Sequence, residues 1–339
     1  MSAVQETTSS GAQVTKFGET TLAVNDLVVE FPRPVGDNFR AVNGVTFELR
    51  RGETLGLVGE SGSGKSMTAL SLLGIVPLPG RIVEGSVVLA GRNLTGLTEA
   101  QLREVRGGDI GMVFQDPMTG LNPVRTVGSQ LTESSARHND ISRTEAEERA
   151  FRALDDVGIP SARERLKAYP HELSGGLRQR VMIALALMNH PDVIIADEAT
   201  TSLDATIQAQ ILDLFRERLA SATMILITHD LGVAAEICDR IAVMYAGRIV
   251  ETGTIEDVLS SPRHPYTVGL LSAVPKFDIR RPKLVPIPGQ PPTADDIIRG
   301  CSFSPRCPFA QPQCDNRPEL EDRGGRFVAC WTPRGAEAQ

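Results

Sequence analysis

The run Gly59-Glu60-Ser61-Gly62-Ser63-Gly64-Lys65-Ser66 has the residue types and spacing of a phosphate-binding loop. Its glycines let the backbone curl so that successive N–H groups face an anion. Lys65 adds a point charge, and the Ser66 hydroxyl is placed to ligate Mg²⁺. The flanks agree: 54–58 is a short apolar run suited to a buried parallel strand, and Met67 leads into a helical stretch. Gly59, Ser61, Gly62, Ser63, Gly64, Lys65, Ser66 and Met67 are therefore the expected nucleotide-contacting run.

A second anion-binding element lies further along the chain. Leu173-Ser174-Gly175-Gly176 precedes Leu177-Arg178-Gln179-Arg180, a serine and a glycine pair opening a basic helix. A hydroxyl and free backbone N–H groups at a helix N-terminus suit phosphate, so Ser174, Gly175 and Gly176 are candidate contacts.

Three strand ends carry the remaining chemistry. The apolar run 193–196 ends in Asp197-Glu198. Asp197 can hold Mg²⁺ through water, and Glu198 would project toward a γ-phosphate as general base for the attacking water. Gln115 follows the strand-like 111–114 and could reach metal and water. His229 follows 224–228 and could touch the γ-phosphate or position the water; a lone histidine in that place also fits a structural role.

The elements that must position these groups alternate. Strands are expected at 22–31, 42–49, 85–90 and 110–114, a helical stretch at 127–189, and strand–helix alternation from 193 to 244. Ser142 and Glu145 fit a capping box. Alternation of this kind implies a parallel sheet covered by helices, here interrupted by a helical insertion. Residues 1–20 are polar and small and are expected to form a disordered tail. The expected domains are 21–261, with the insertion at about 116–189, and a Pro-, Gly- and Cys-rich segment at 262–339. The 339-residue chain has a net charge of −7 and no basic footprint for nucleic acid. It shows no signal-peptide pattern and no apolar run long enough to span a bilayer, so a soluble, cytoplasmic protein is expected.

Taken together, the P-loop, the Gln115 loop, the 173–176 signature, Asp197-Glu198, the Ser202-Leu203-Asp204 turn and His229 resemble, in content and order, the nucleotide-binding subunits of ATP-binding-cassette (ABC) transporters. The resemblance covers about 21–260. It implies an α/β P-loop NTPase with a RecA-like parallel core, an antiparallel β subdomain and an inserted helical subdomain, hydrolysing ATP with Mg²⁺. It also implies that two cassettes pack head to tail, Ser174 and Gly176 binding ATP held by the partner, and that Asp204 is a further ATP-binding residue. Phe31 is the implied adenine-stacking aromatic, with Phe39 as the alternative. The chain departs from the family pattern at Leu177, where glutamine is commonest, and at Ala199, where proline usually follows the glutamate; neither change removes a phosphate-contacting group.

The tail narrows the resemblance. Arg263-His264-Pro265-Tyr266-Thr267, 286–292 and 301–307, together with Gln115-Asp116-Pro117-Met118, are similar to oligopeptide/dipeptide importer ATPases. Nickel, glutathione and opine importers share such tails. The partners implied are a second, paralogous cassette, two membrane permease subunits and, indirectly, an extracytoplasmic solute-binding protein, with the chain peripheral at the cytoplasmic face of the inner membrane. Soluble ABC ATPases of repair or translation are the alternative class; they usually carry longer insertions or tandem cassettes.

Cys301, Cys307, Cys314 and Cys330 are separated by five, six and fifteen residues. A cytoplasmic location argues against disulfides, and the spacing matches neither tight zinc pairs nor ferredoxin runs, leaving a metal site or free thiols. The family resemblance implies a [4Fe–4S] cluster on these four. Cys238 reads as a small core residue.

Overall fold

The computed structural model describes residues 17–199, 205–219, 222–273, 286–294, 296 and 299–334. Twelve strands are described: β1 Thr20–Phe31, β2 Phe39–Arg50, β3 Thr54–Val58, β4 Arg81–Leu89, β5 Arg92–Asn93, β6 Ile110–Val113, β7 Val193–Asp197, β8 Met224–Thr228, β9 Arg240–Tyr245, β10 Arg248–Thr254, β11 Glu321–Asp322 and β12 Phe327–Val328. They form a four-stranded sheet, β2-β1-β4-β5, and an eight-stranded sheet, β11-β12-β10-β9-β3-β8-β7-β6.

The centre of the larger sheet is parallel: β3 pairs with β8 and β9, and β7 with β6 and β8. Every residue of β3, β7 and β8 is buried, as a sheet covered on both faces requires. Side chains alternate between the two covers. Leu55, Leu57, Ile195, Ile225 and Ile227 pack toward the antiparallel sheet, while Ile194, Leu226 and Val243 pack toward the helices.

Between β6 and β7 the chain is helical, from Pro117–Gly120 to Gly175–Leu187. The stretch 127–189 is more broken than its sequence suggests: a short helix at Ala162–Arg165 and a 3-10 turn at Pro170–Glu172 precede the long helix. Ser142 caps Arg143–Asp156 by accepting the Glu145 N–H at 3.2 Å, one half of the expected capping box. At the N-terminus β1 already begins at Thr20, and 1–16 lie outside the described residues. Among the described residues no helix is long and apolar enough to cross a membrane.

The chain beyond β10 is stitched to the larger sheet. β12 pairs antiparallel with β10, setting Glu251 opposite Val328. The Glu251 carboxylate, fully buried, accepts the Arg263 and His264 N–H groups at 2.8 Å and Arg326 Nη2 at 3.0 Å. Tyr245, Tyr266 and Phe303 form an aromatic cluster with centroids 4.6–5.4 Å apart. Cys238 is buried against Gly56, and burial pushes its thiol up to about 12.

His264 is buried beside Phe303, its Nδ1 accepting the Tyr266 N–H at 3.1 Å. Burial lowers its pKa from 6.5 to about 3. The unfolded chain therefore binds a proton that the folded chain does not, and stability is lost as pH falls through the interval between those values. One unit below the ordinary value the loss is about 1.4 kcal/mol, growing by a similar step for each further unit. His264→Asn, which retains an acceptor near Nδ1, is expected to flatten this part of the stability–pH profile in denaturant titrations. An unchanged acid slope would remove His264 as its source.

Candidate functional site

The strand order brings the candidate residues to one edge. β3, β6, β7 and β8 run parallel and end at Val58, Val113, Asp197 and Thr228. The P-loop, Gln115, Glu198 and His229 follow those ends, the position at which parallel α/β sheets bind ligands.

Gly64 caps the helix Lys65–Leu72 with φ 102°, a left-handed conformation that glycine adopts without steric cost. A Cβ there would also lie 2.6 Å from the Ala41 carbonyl oxygen. Lys65 is buried, its ammonium donating to the carbonyls of Gly59 at 2.8 Å and Glu60 at 2.9 Å. Burial lowers its pKa, while the carboxylates of Glu198, Asp197 and Glu60 favour its charge. A phosphate would compete for this donor.

Ser66 Oγ donates to Asp197 Oδ1 at 3.1 Å. Burial raises the Asp197 pKa, the Ser66 hydrogen bond opposes that, and nearby Glu198 adds to it. A hydroxyl beside a buried carboxylate is a donor set suited to Mg²⁺, which takes one or two protein oxygens and completes its shell with phosphate and water.

Glu198 is clasped from two sides. Gln115 Nε2 donates to its Oε2 at 2.8 Å, and His229 Nδ1 lies 3.3 Å from its Oε1. Its backbone has φ 44°, and its N–H donates to the Ile227 carbonyl at 2.9 Å. Non-glycine residues adopt this region at a cost and are held there by their surroundings. The turn aims the carboxylate out of the sheet edge, between Gln115 and His229.

The signature lies on a different element. Ser174 caps the helix Gly175–Leu187, its hydroxyl accepting the Leu177 N–H at 3.4 Å. A Cβ on Gly176 would meet Ile207 at 2.9 Å, whereas one on Gly175 would meet nothing within 4 Å among the described residues. Packing among the described residues thus explains Gly176 and leaves Gly175 unexplained. Asp204, with Ser202 and Leu203, lies outside the described residues.

The two aromatics separate. Phe31 and Phe39 pair across β1 and β2, but the Phe31 ring lies against Gly80, where an added Cβ would come within 2.5 Å of it. Phe39 lines a cavity of about 530 Å³ that reaches Gly62 of the P-loop and is walled also by Asn43, Gly247, Pro292 and Asp296. Phe39 is thus placed beside the P-loop cavity, whereas Phe31, the aromatic implied by the resemblance, packs on Gly80. The turn between β1 and β2 brings both rings together in sequence space, and only the packing distinguishes them.

The cysteines behave differently from expectation. Cys301, Cys307, Cys314 and Cys330 are half-buried free thiols. Burial pushes Cys330 up to about 11, with Cys301, Cys307 and Cys314 adding to the effect. Yet among the described residues no group of three or more His, Cys, Asp or Glu side chains is placed to hold a metal ion. The structure lends the expected iron site no support: the four thiols neighbour one another without forming a ligand set.

Sequence reasoning missed the second layer around the P-loop. Tyr266 and Arg306, both from the chain beyond β10, hold Glu60. Tyr266, the one tyrosine of the tail, and Arg306 stand in the motifs that carry the family resemblance, but nothing in their spacing points to Glu60.

Comparison with known proteins agrees with this geometry. The family profile described as ABC transporter matches residues 42–201, and that of the oligopeptide/dipeptide transporter C-terminal region matches 250–314. The oligopeptide transport ATP-binding protein OppD of Salmonella typhimurium is 50% identical over 327 residues, covering 96% of this chain and 97% of that protein. The dipeptide transport ATP-binding protein DppD of Bacillus subtilis is 49% identical over 300 residues, covering 88% and 89%. Among solved structures, the dimeric bacterial ABC transporter cassette MJ0796 superposes with a TM-score of 0.60 at 26% identity, covering 69% of this chain and 98% of that one. A post-hydrolysis dimer of the same cassette, bound to ADP and Pi, matches equally. The chain belongs to the ABC transporter ATP-binding proteins, in the branch that carries the oligopeptide/dipeptide transporter C-terminal region.

Proposed function

We propose that this ABC ATPase powers uptake of oligopeptides or dipeptides, docked at the cytoplasmic face of the membrane on two permease subunits that receive cargo from a solute-binding protein. The observation that carries the catalytic part is the convergence of Lys65, Ser66–Asp197 and Gln115–Glu198–His229 at the carboxyl ends of four parallel strands. The cargo class is supported by the names of the relatives and by the matched C-terminal region.

In this reading the P-loop N–H groups and Lys65 bind the phosphates, and Phe39 stacks on the base. Ser66 and Asp197 would hold Mg²⁺, which when bound would supply charge neutralisation at the phosphates. Glu198 takes a proton from the attacking water, Gln115 and His229 having fixed the direction of its carboxylate. Phosphate chemistry of this kind depends mostly on positioning and charge.

A test in proteoliposomes of the assembled transporter measures ATP binding, ATP turnover and uptake of a labelled peptide together. Glu198→Gln is expected to bind ATP as the parent does while turnover and uptake fall by about 10²–10⁴-fold. Phe39→Ala is expected to weaken ATP binding more than Phe31→Ala. Parent-like turnover in Glu198→Gln would sink the catalytic assignment, and uptake of nickel without peptide would sink the cargo assignment.

The second cassette, a paralogue or a copy, is supported by Gly175. Among the described residues nothing opposes a side chain there, and the related cassette forms a dimer. Alanine at this position of a helix favours folding by up to about 1 kcal/mol. Gly175→Ala should therefore leave the isolated chain as stable as before, or more so, while lowering turnover of the assembled complex; normal turnover would argue against a nucleotide facing Gly175.

An iron–sulfur cluster on Cys301, Cys307, Cys314 and Cys330 rests on the family resemblance alone. Anaerobic purification followed by iron and sulfide analysis should give about four of each per chain. Zinc, or neither element, overturns the cluster.

A further inference from the structure

Glu60, the second residue of the P-loop, is held at every polar point it has. Its carbonyl accepts Lys65 Nζ at 2.9 Å and the Ser63 N–H at 3.2 Å. Its N–H donates to the Tyr266 hydroxyl at 2.8 Å. Its carboxylate accepts a two-pronged hydrogen bond from Arg306, Nη1 at 2.7 Å and Nη2 at 3.1 Å. The first set lies within the loop, whereas Tyr266 and Arg306 come from the chain beyond β10.

Arg306 has a single orientation available. Its side chain is 5% exposed. Nε donates to the Pro288 carbonyl at 2.9 Å, Nη1 also reaches the Tyr245 hydroxyl at 3.4 Å, and the guanidinium sits 5.8 Å from the Tyr245 ring centroid and 6.0 Å from that of Phe303. A planar fork fixed on three sides presents its remaining edge to one carboxylate, a task that lysine's point charge cannot reproduce.

The charge arrangement gives this fork a consequence for the nucleotide. Glu60 lies near enough to Lys65 to influence it electrostatically. An uncompensated carboxylate at that place would compete with the phosphates for the lysine and repel them. We propose that Arg306 is a positioning residue for ATP, neutralising Glu60 and fixing its peptide so that the P-loop keeps its phosphate-binding curl. The C-terminal segment thereby becomes part of the nucleotide site. The proposal rests on reading the P-loop as the ATP site.

The test uses the full-length chain in the assembled transporter and reads KM for ATP and kcat separately. Arg306→Met leaves Glu60 charged and unpaired, so KM should rise about tenfold while kcat at saturating ATP stays within about twofold. Adding Glu60→Gln removes the stranded charge and should return KM to within about threefold of the parent, a non-additive pattern that marks direct coupling. A residue that only anchored the tail would lower the melting temperature with KM unmoved, or leave the double variant as weak as the single; either result overturns the proposal. Should Arg306→Met not fold, Tyr266→Phe removes the acceptor of the Glu60 N–H and should also raise KM, and an unchanged KM there is equally fatal. Lys65→Ala serves as the separate control: unchanged ATP binding in that variant would sink the P-loop reading itself, whatever Arg306 does.

Discussion

A parallel sheet covered on both faces has no room for polar chemistry along its strands, and this constraint organises the molecule. β3, β7 and β8 are buried throughout their length, so polar residues are tolerated only where each strand leaves the sheet. Parallel pairing puts those exits on the same edge. Residues that are 131 and 83 positions apart then meet, as Ser66 does with Asp197 and Gln115 with Glu198. The site is a consequence of strand direction before it is a consequence of any side chain.

The same edge concentrates charge in a poorly solvated place. Lys65 loses favour for its charge through burial, and Asp197 is pushed toward its protonated form by the same cause. Lys65 is held by hydrogen bonds to the carbonyls of its own loop, and Asp197 by the Ser66 hydroxyl. A bound triphosphate with its cation supplies the charges this arrangement lacks, which is why such a site is worth building around a ligand and costly without one. Glu198 shows another cost, a left-handed backbone at a residue that is not glycine, maintained by its hydrogen bond to β8 and by its two side-chain neighbours.

Local features were legible in the sequence and remote ones were not. The loop at 59–66 and the apolar runs that become β3, β7 and β8 carry their signals in consecutive residues. The hairpin joining β9 to β10 has a two-residue turn, Ala246-Gly247, with positive φ at both positions, and Ala-Gly is a weaker hairpin signal than Asn-Gly; β10 went unrecognised for that reason. Phe31 and Phe39 have equal claims as letters, being cross-strand partners, and are distinguished only by what packs on each. The Arg306–Glu60 pair spans 246 positions, and no pattern of spacing foretells a contact of that range. For the cysteines the spacing leaves metal ligation and free thiols open and only the family resemblance points to a cluster; the described side chains do not assemble a ligand set.

The short pairing of β12 with β10 has a bearing on how the cassette meets its surroundings. Without the tail, β10 would be the outermost strand of a sheet, with a row of unpaired N–H and C=O groups open to any extended chain. Two strands of two residues each now close that side, and strands so short offer little template for further pairing. The tail therefore acts as a selvage, finishing the fabric of the sheet so that it does not unravel into, or become stitched to, its neighbours.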